Sequence, residues 1–277
     1  FEAGSSRVLD STVMEASLLL LRITVLLYVA AAASAFASLF LKDRRGSVLA
    51  ASLAGTGLVA HLGYLVFRGL ELGRIPLEEY RDVVSFLCCA AVAVYLIAYL
   101  RTRLEVLGAV ILPLVLVLLF ISDLLSADVV PVSRDLERAF LDFHISIAVL
   151  GAAALFLTFA ASVMYLAQER RIKLKKTGGG GVPLPSLEKC DSLGNISLMW
   201  GFPLLTLTIV TGGVWTANFR ERPSIWETQE TFALLAWVLL GIILSARFFR
   251  GWRGRKAAYL TILAFTALIL RMIGVVL

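Results

Sequence analysis

The sequence predicts an all-α membrane protein, a polytopic bundle of about eight transmembrane helices with both termini on the outer face. Three observations lead there. Hydrophobic residues make up 59% of the 277 and only 17% are charged, giving a mean hydropathy of +0.87. That balance belongs to polytopic membrane proteins and not to soluble domains. Apolar stretches of span length recur eight times, and a bilayer span needs roughly 20 predominantly apolar residues. Lys and Arg are also unevenly shared between alternate connections: sixteen of the 26 fall on one side, together with only five of the 20 acids. The positive-inside rule assigns that side to the cytoplasm.

The spans fall near residues 16–41, 47–69, 83–100, 105–122, 139–167, 193–218, 231–249 and 257–277. Short polar connections separate them, so a single helical domain is expected over 1–277. No basic n-region precedes the first span, which is therefore expected to be retained and not cleaved as a signal peptide. This first span carries Arg22 near its outer end, between wholly apolar flanks. The second runs outward and carries His61 about two-thirds of the way along. Its outer connection holds Pro76, Glu78, Glu79, Arg81 and Asp82, which read either as a small ionic cluster or as an ordinary solvated loop. In the third span Cys88 and Cys89 are adjacent. With Cys190 they form no CxxC or CxxCH, so covalent c-type haem and a thioredoxin-like pair are excluded and buried small hydrophobes are expected.

The fourth span contains Pro113, which removes a backbone hydrogen bond and can kink the helix. The fifth runs inward and carries His144 a little more than one turn past its outer start. After it comes RRIKLKKTGGGGVPLPSL, residues 170–187, whose basic run reads as a membrane-surface clamp and whose glycines read as a flexible hinge. The sixth span contains Pro203, and the outer loop at about 219–230 joins it to the seventh. Arg271 lies in the last span, where snorkelling to headgroups accounts for it.

His61 and His144 are the only two histidines, and topology places both in the outer half of the bilayer. A polar side chain at that depth needs a partner or a function. Imidazole is a good axial ligand for haem iron; each ring can equally hydrogen-bond a neighbouring helix. A guanidinium at the outer interface, such as Arg22, suits a carboxylate and with it a haem propionate. Trp200, Trp215, Trp226, Trp237 and Trp252 lie near span ends, as aromatic belting requires. No Ser-His-Asp set, HExxH or nucleotide-binding motif is present, so no enzymatic activity of the chain on its own is expected. The basic balance reflects topology and contact with the lipid bilayer, and no nucleic-acid partner is implied.

The segments FHISIAVLGAAALFLTFAASVMYLAQERRIK, GFPLLTLTIVTGGVW and GWRGRKAAYLTI, with a looser match at IPLEEYRDVVSF, resemble the cytochrome c assembly family. That group of haem-handling polytopic proteins includes CcsA-type synthetase subunits and HemX-type relatives. The family signature is an outer-loop pattern WGxxWxWDPKE, which falls without gaps on Arg220 through Glu230. Arg220, Glu221 and Ser224 replace the first Trp, the Gly and the second Trp. Trp226, Glu227 and Glu230 keep the third Trp, the acid and the final Glu, and the Pro-Lys is lost. His144 matches the family's upstream axial histidine, whereas the downstream one has no match within these residues. His61 stands where HemX-type relatives often carry a histidine.

The resemblance thus implies a HemX-like haem-handling protein of the bacterial plasma (inner) membrane. It would hold non-covalent haem b on His61 and His144. Trp226 and Trp215 would cover the porphyrin, and Arg22 or Arg220 would pair with propionates. The alternative is a structural or regulatory membrane subunit, acting through a membrane or cytoplasmic partner protein, that has lost the haem site.

Overall fold

A computed structural model describes residues 2–41, 44–77, 79–124, 135–175, 184–219 and 228–274. They form eight helices: α1 (Glu2–Leu41), α2 (Arg44–Leu72), α3 (Tyr80–Thr102), α4 (Leu107–Leu124), α5 (Asp135–Lys173), α6 (Leu187–Phe219), α7 (Thr228–Arg250) and α8 (Arg255–Gly274). No strand occurs among the described residues. The chain is therefore an all-α membrane protein, as its composition requires.

Each expected span coincides with one helix. Several helices overrun their spans, α1 most of all, because hydrophobicity marks only the lipid-facing length. Backbone hydrogen bonding continues through the polar helix formers beyond it. Six helices among the described residues are long and apolar enough to cross a membrane: α1, α2, α3, α5, α6 and α7. Helix α4 adds a shorter apolar run, Leu107–Ser122. Large apolar side chains such as Phe40, Leu41 and Phe249 stand exposed on these helices, as expected where lipid is the solvent.

The chain divides into two compact units, Phe1–Val130 and Pro131–Leu277. In unit 1, α1 packs along α2, α2 meets α3, α3 meets α4, and α4 returns to α1. Unit 2 has the same cyclic order, with α5 on α6, α6 on α7, α7 on α8 and α8 back on α5.

Small residues let the α1–α2 seam close: a Cβ on Gly46 of α2 would stand 2.8 Å from Ser38 Cβ of α1, and the Ser34 hydroxyl donates to the Gly46 carbonyl at 2.9 Å. Gly57 is required as well. A Cβ at that position would lie 2.7 Å from two carbons of the Tyr28 ring, so only glycine leaves this buried tyrosine its place.

The core of unit 2 is aliphatic, built on Leu155, Leu198, Leu205, Leu240 and Ile243. One end is tied by an ion pair. Arg247 of α7 donates twice to Asp191 of α6, Nη2 to Oδ1 at 2.8 Å and Nη1 to Oδ2 at 3.1 Å. The Gly254 N–H joins them at 3.3 Å, so α6, α7 and the entry to α8 share one carboxylate. Pro113 and Pro203 lie inside α4 and α6, which both continue across them. Cys88, Cys89 and Cys190 are free and buried, as expected of small hydrophobes.

Candidate functional site

His144 is held at the seam of α5 and α6 in unit 2. The register is antiparallel. Four residues along α5, from Phe140 to His144, correspond to four residues back along α6, from Trp215 to Thr211. Phe140 stacks on Trp215 with ring centroids 6.4 Å apart and planes 14° from parallel. His144 Nδ1 lies 2.7 Å from the Thr211 hydroxyl oxygen. Gly212 backs the ring on the same turn, since a Cβ there would stand 3.2 Å from His144 Cε1.

The surroundings of the Thr211 hydroxyl favour one imidazole tautomer. That hydroxyl carries one proton, and that proton is directed at its own helix: the Leu207 carbonyl accepts at 2.7 Å, with the Thr208 carbonyl at 3.2 Å. A Ser or Thr hydroxyl has one donor and two acceptor lone pairs. Thr211 is thereby placed to accept from His144 Nδ1–H, and a neutral ring in that tautomer carries its lone pair on Nε2. This is the usual arrangement behind a metal-ligating histidine, whose other nitrogen donates to an orienting oxygen. The residues at this seam thus fit an axial imidazole for haem iron, with Trp215 supplying aromatic surface one turn farther along α6.

His61, in unit 1, is placed differently. It is wholly buried, with Nε2 2.9 Å from the Ser85 hydroxyl of α3 and Nδ1 3.3 Å from the Tyr28 hydroxyl of α1. Both nitrogens are engaged whichever tautomer is present, so the ring ties three helices together. Any ligand taken on Nε2 has to replace Ser85.

The remaining expected site residues are spread over both units. Arg22 lies on the exposed side of α1. Trp237 is committed to α6, stacking on Phe202 and donating from Nε1 to the Thr206 hydroxyl at 2.9 Å. Arg220 and Trp226 lie outside the described residues, as do the rest of the signature loop from Glu221 to Glu227 and residues 176–183 of the basic connection.

An ionic cluster does form after the second helix, and its centre is Arg68, a residue that loop charge alone does not single out. Arg68 reaches Glu71 at 3.2 Å, Glu79 at 3.0 Å and the wholly buried Asp82 at 3.5 Å. Ser17 of α1 also donates to Glu71. Glu78 lies outside the described residues. No group of three or more His, Cys, Asp or Glu suited to a bare metal ion occurs among the described residues.

Thr211 and Gly212 were not singled out by sequence reasoning. The available signal is the Thr-Gly-Gly run inside an apolar helix, where a hydroxyl and a bare backbone meet on one turn.

The family model described as "Cytochrome C assembly protein" matches residues 77–277, which include all of unit 2. A cytochrome c biogenesis protein CcsA of Microcystis aeruginosa is 29% identical over 318 aligned residues, covering 96% of this chain and 93% of that protein. The protein of the same name from Thermosynechococcus vestitus is 28% identical over 295 residues, covering 91% and 90%. That of Guillardia theta is 27% identical over 227 residues, covering 75% of each. By this match over most of its length, the chain belongs to the cytochrome c assembly protein family.

Proposed function

We propose that the chain is a haem-binding, haem-handling membrane protein of the HemX-like branch, seated in the bacterial plasma membrane with its signature loop outward. The observation that carries the reading is the His144–Thr211 pair, which suits a neutral imidazole donating from Nδ1 and ligating through Nε2. Haem supplies an iron that accepts such a lone pair and a broad apolar macrocycle that gains from burial. His144 ligates; Thr211 holds the ring; Gly212 lets the ring lie against the α6 backbone. Trp215, braced by Phe140, offers the porphyrin an aromatic face, with Trp226 covering it from the loop.

His61 is assigned the same ligand role within unit 1, where the Ser85 hydroxyl would have to give up Nε2 for it to hold iron. Arg22 and Arg220 are assigned to propionates. Departure from the tryptophan signature at Arg220, Glu221 and Ser224 supports the HemX-like branch over a complete synthetase. The haem is b-type and held non-covalently, so covalent attachment to a cytochrome falls to a partner.

The test is an absorption spectrum of the detergent-purified full chain before and after haem addition. A Soret band that weakens in His144→Ala is expected. A protein that stays colourless overturns the reading. If it also co-purifies with a partner that is lost on deleting residues 170–181, the structural or regulatory subunit replaces it.

A further inference from the structure

Unit 2 carries a groove that the haem reading does not use. It has a volume of about 660 Å3 and runs along α7, lined also by Phe202 of α6 and by Trp252 just beyond α7. Its α7 lining residues come in adjacent pairs four apart, from Trp237 and Val238 to Phe249 and Arg250. That spacing is one face of a helix, so the groove follows the helix axis for about 13 residues, or ~20 Å. Gly241 is set at its middle: a Cβ there would already stand 3.4 Å from the Phe202 ring. Trp252 is folded back onto α7. Gly251 takes φ +60° and the Trp252 N–H bonds to the Ala246 carbonyl at 3.1 Å. The Lys256 ammonium stands 5.6 Å over the indole.

The groove is polarised along its length. Aromatic and aliphatic side chains line most of it, and Arg250 stands exposed at the Trp252 end. This end is the basic one, adjoining Arg253, Arg255 and Lys256. Arg247, one turn before Arg250, is already paired with Asp191, which leaves Arg250 as the guanidinium lining the groove.

We infer that this groove binds one acyl chain of an anionic phospholipid, with the phosphate on Arg250. Three features favour that occupant over a flat porphyrin. The groove runs along a membrane-crossing helix, and ~20 Å covers the ~15 Å depth of one leaflet's hydrocarbon plus the start of its headgroup layer. Its single cation lies at one extremity, where a headgroup would sit. No His, Cys or Met lines it, so an iron would find no ligand. Juxtamembrane Lys and Arg also attract anionic lipid, and a guanidinium binds phosphate with charge-assisted hydrogen bonds.

The test is native mass spectrometry of the full chain equilibrated with equal amounts of phosphatidylglycerol and phosphatidylcholine of matched acyl chains. The wild type should retain one phosphatidylglycerol per chain, with a preference of roughly tenfold. Arg250→Gln should reduce that preference to about twofold or less, and Arg250→Lys should keep most of it. Gly241→Leu should lower retention of both lipids by filling the groove. Circular dichroism and a monodisperse elution profile establish that each variant is folded. Equal retention of the two lipids by the wild type overturns the inference, as does an undiminished preference in Arg250→Gln. Competitive displacement of the lipid by added haem would also overturn it, assigning the groove to a tetrapyrrole.

Discussion

Replacing Thr211 by Val probes the orientation of His144 with almost no change of side-chain volume. The hydroxyl disappears, and His144 Nδ1–H loses an acceptor that stood at 2.7 Å. Stranding a buried donor costs about 1–3 kcal/mol. The His144 side chain is half-buried, so part of that loss is recovered by solvent, leaving about 1–2 kcal/mol of weakened ligation. At 1.4 kcal/mol per tenfold, haem affinity should fall roughly 5–30-fold. The range overlaps the loss typical of removing an orienting partner behind a metal-ligating histidine, roughly 10–100-fold.

Thr211→Ser keeps both the acceptor and the bond to the Leu207 carbonyl, so it should bind haem within about twofold of wild type. The assay is a haem titration of the detergent-purified protein followed at the Soret band. Thr211→Val binding as tightly as wild type would refute the tautomer argument. So would a loss in Thr211→Ser equal to that in Thr211→Val, since the effect would then be one of packing.

Gly57→Ala drives a methyl group into the Tyr28 ring and should cost about 1–3 kcal/mol of stability, read as a lower thermal midpoint. The loss should shrink when Tyr28→Ala is added; equal losses in both backgrounds would place the strain elsewhere. Arg247→Ala strands Asp191 and should cost about 2–3 kcal/mol, below the figure for a fully enclosed pair because both side chains keep some exposure. The double variant with Asp191→Ala should be more stable than Arg247→Ala alone, and a double variant that is worse contradicts the pairing. Ser85→Ala removes the hydroxyl beside His61 Nε2 and should lower stability by about 1 kcal/mol. In a His144→Ala background it should raise residual haem binding, while unchanged or lower binding removes His61 from the ligand set.

The helices were legible in the sequence because each is built on a long apolar run, six of them among the described residues long enough to cross a bilayer, and such runs have few alternatives. Division into two units was not, since it depends on which helices pack together and both halves are runs of apolar helices. His61 and His144 drew attention for the same reason, as rare polar rings at similar depth. Their environments differ in ways that only the helix register sets. Ser85 and Tyr28 enclose one ring, while Thr211 and Gly212 orient the other. Arg68 escaped notice because it reads as one more charge at the end of the second span until α2 and α3 pack and bring Glu79 and Asp82 to it. Trp237 reads in the sequence as one more span-end tryptophan, and only the packing shows its indole committed to Thr206 and Phe202.

Ligation of iron by His144 is tested most directly by cavity rescue in the full-length chain. His144→Gly should bind haem weakly and show an altered Soret band. Added imidazole should restore both the wild-type spectrum and the affinity, because a diffusible ring can occupy the space between Gly212 and Thr211. A wild-type spectrum in His144→Gly that is indifferent to imidazole would contradict the account, since the iron would then be held elsewhere.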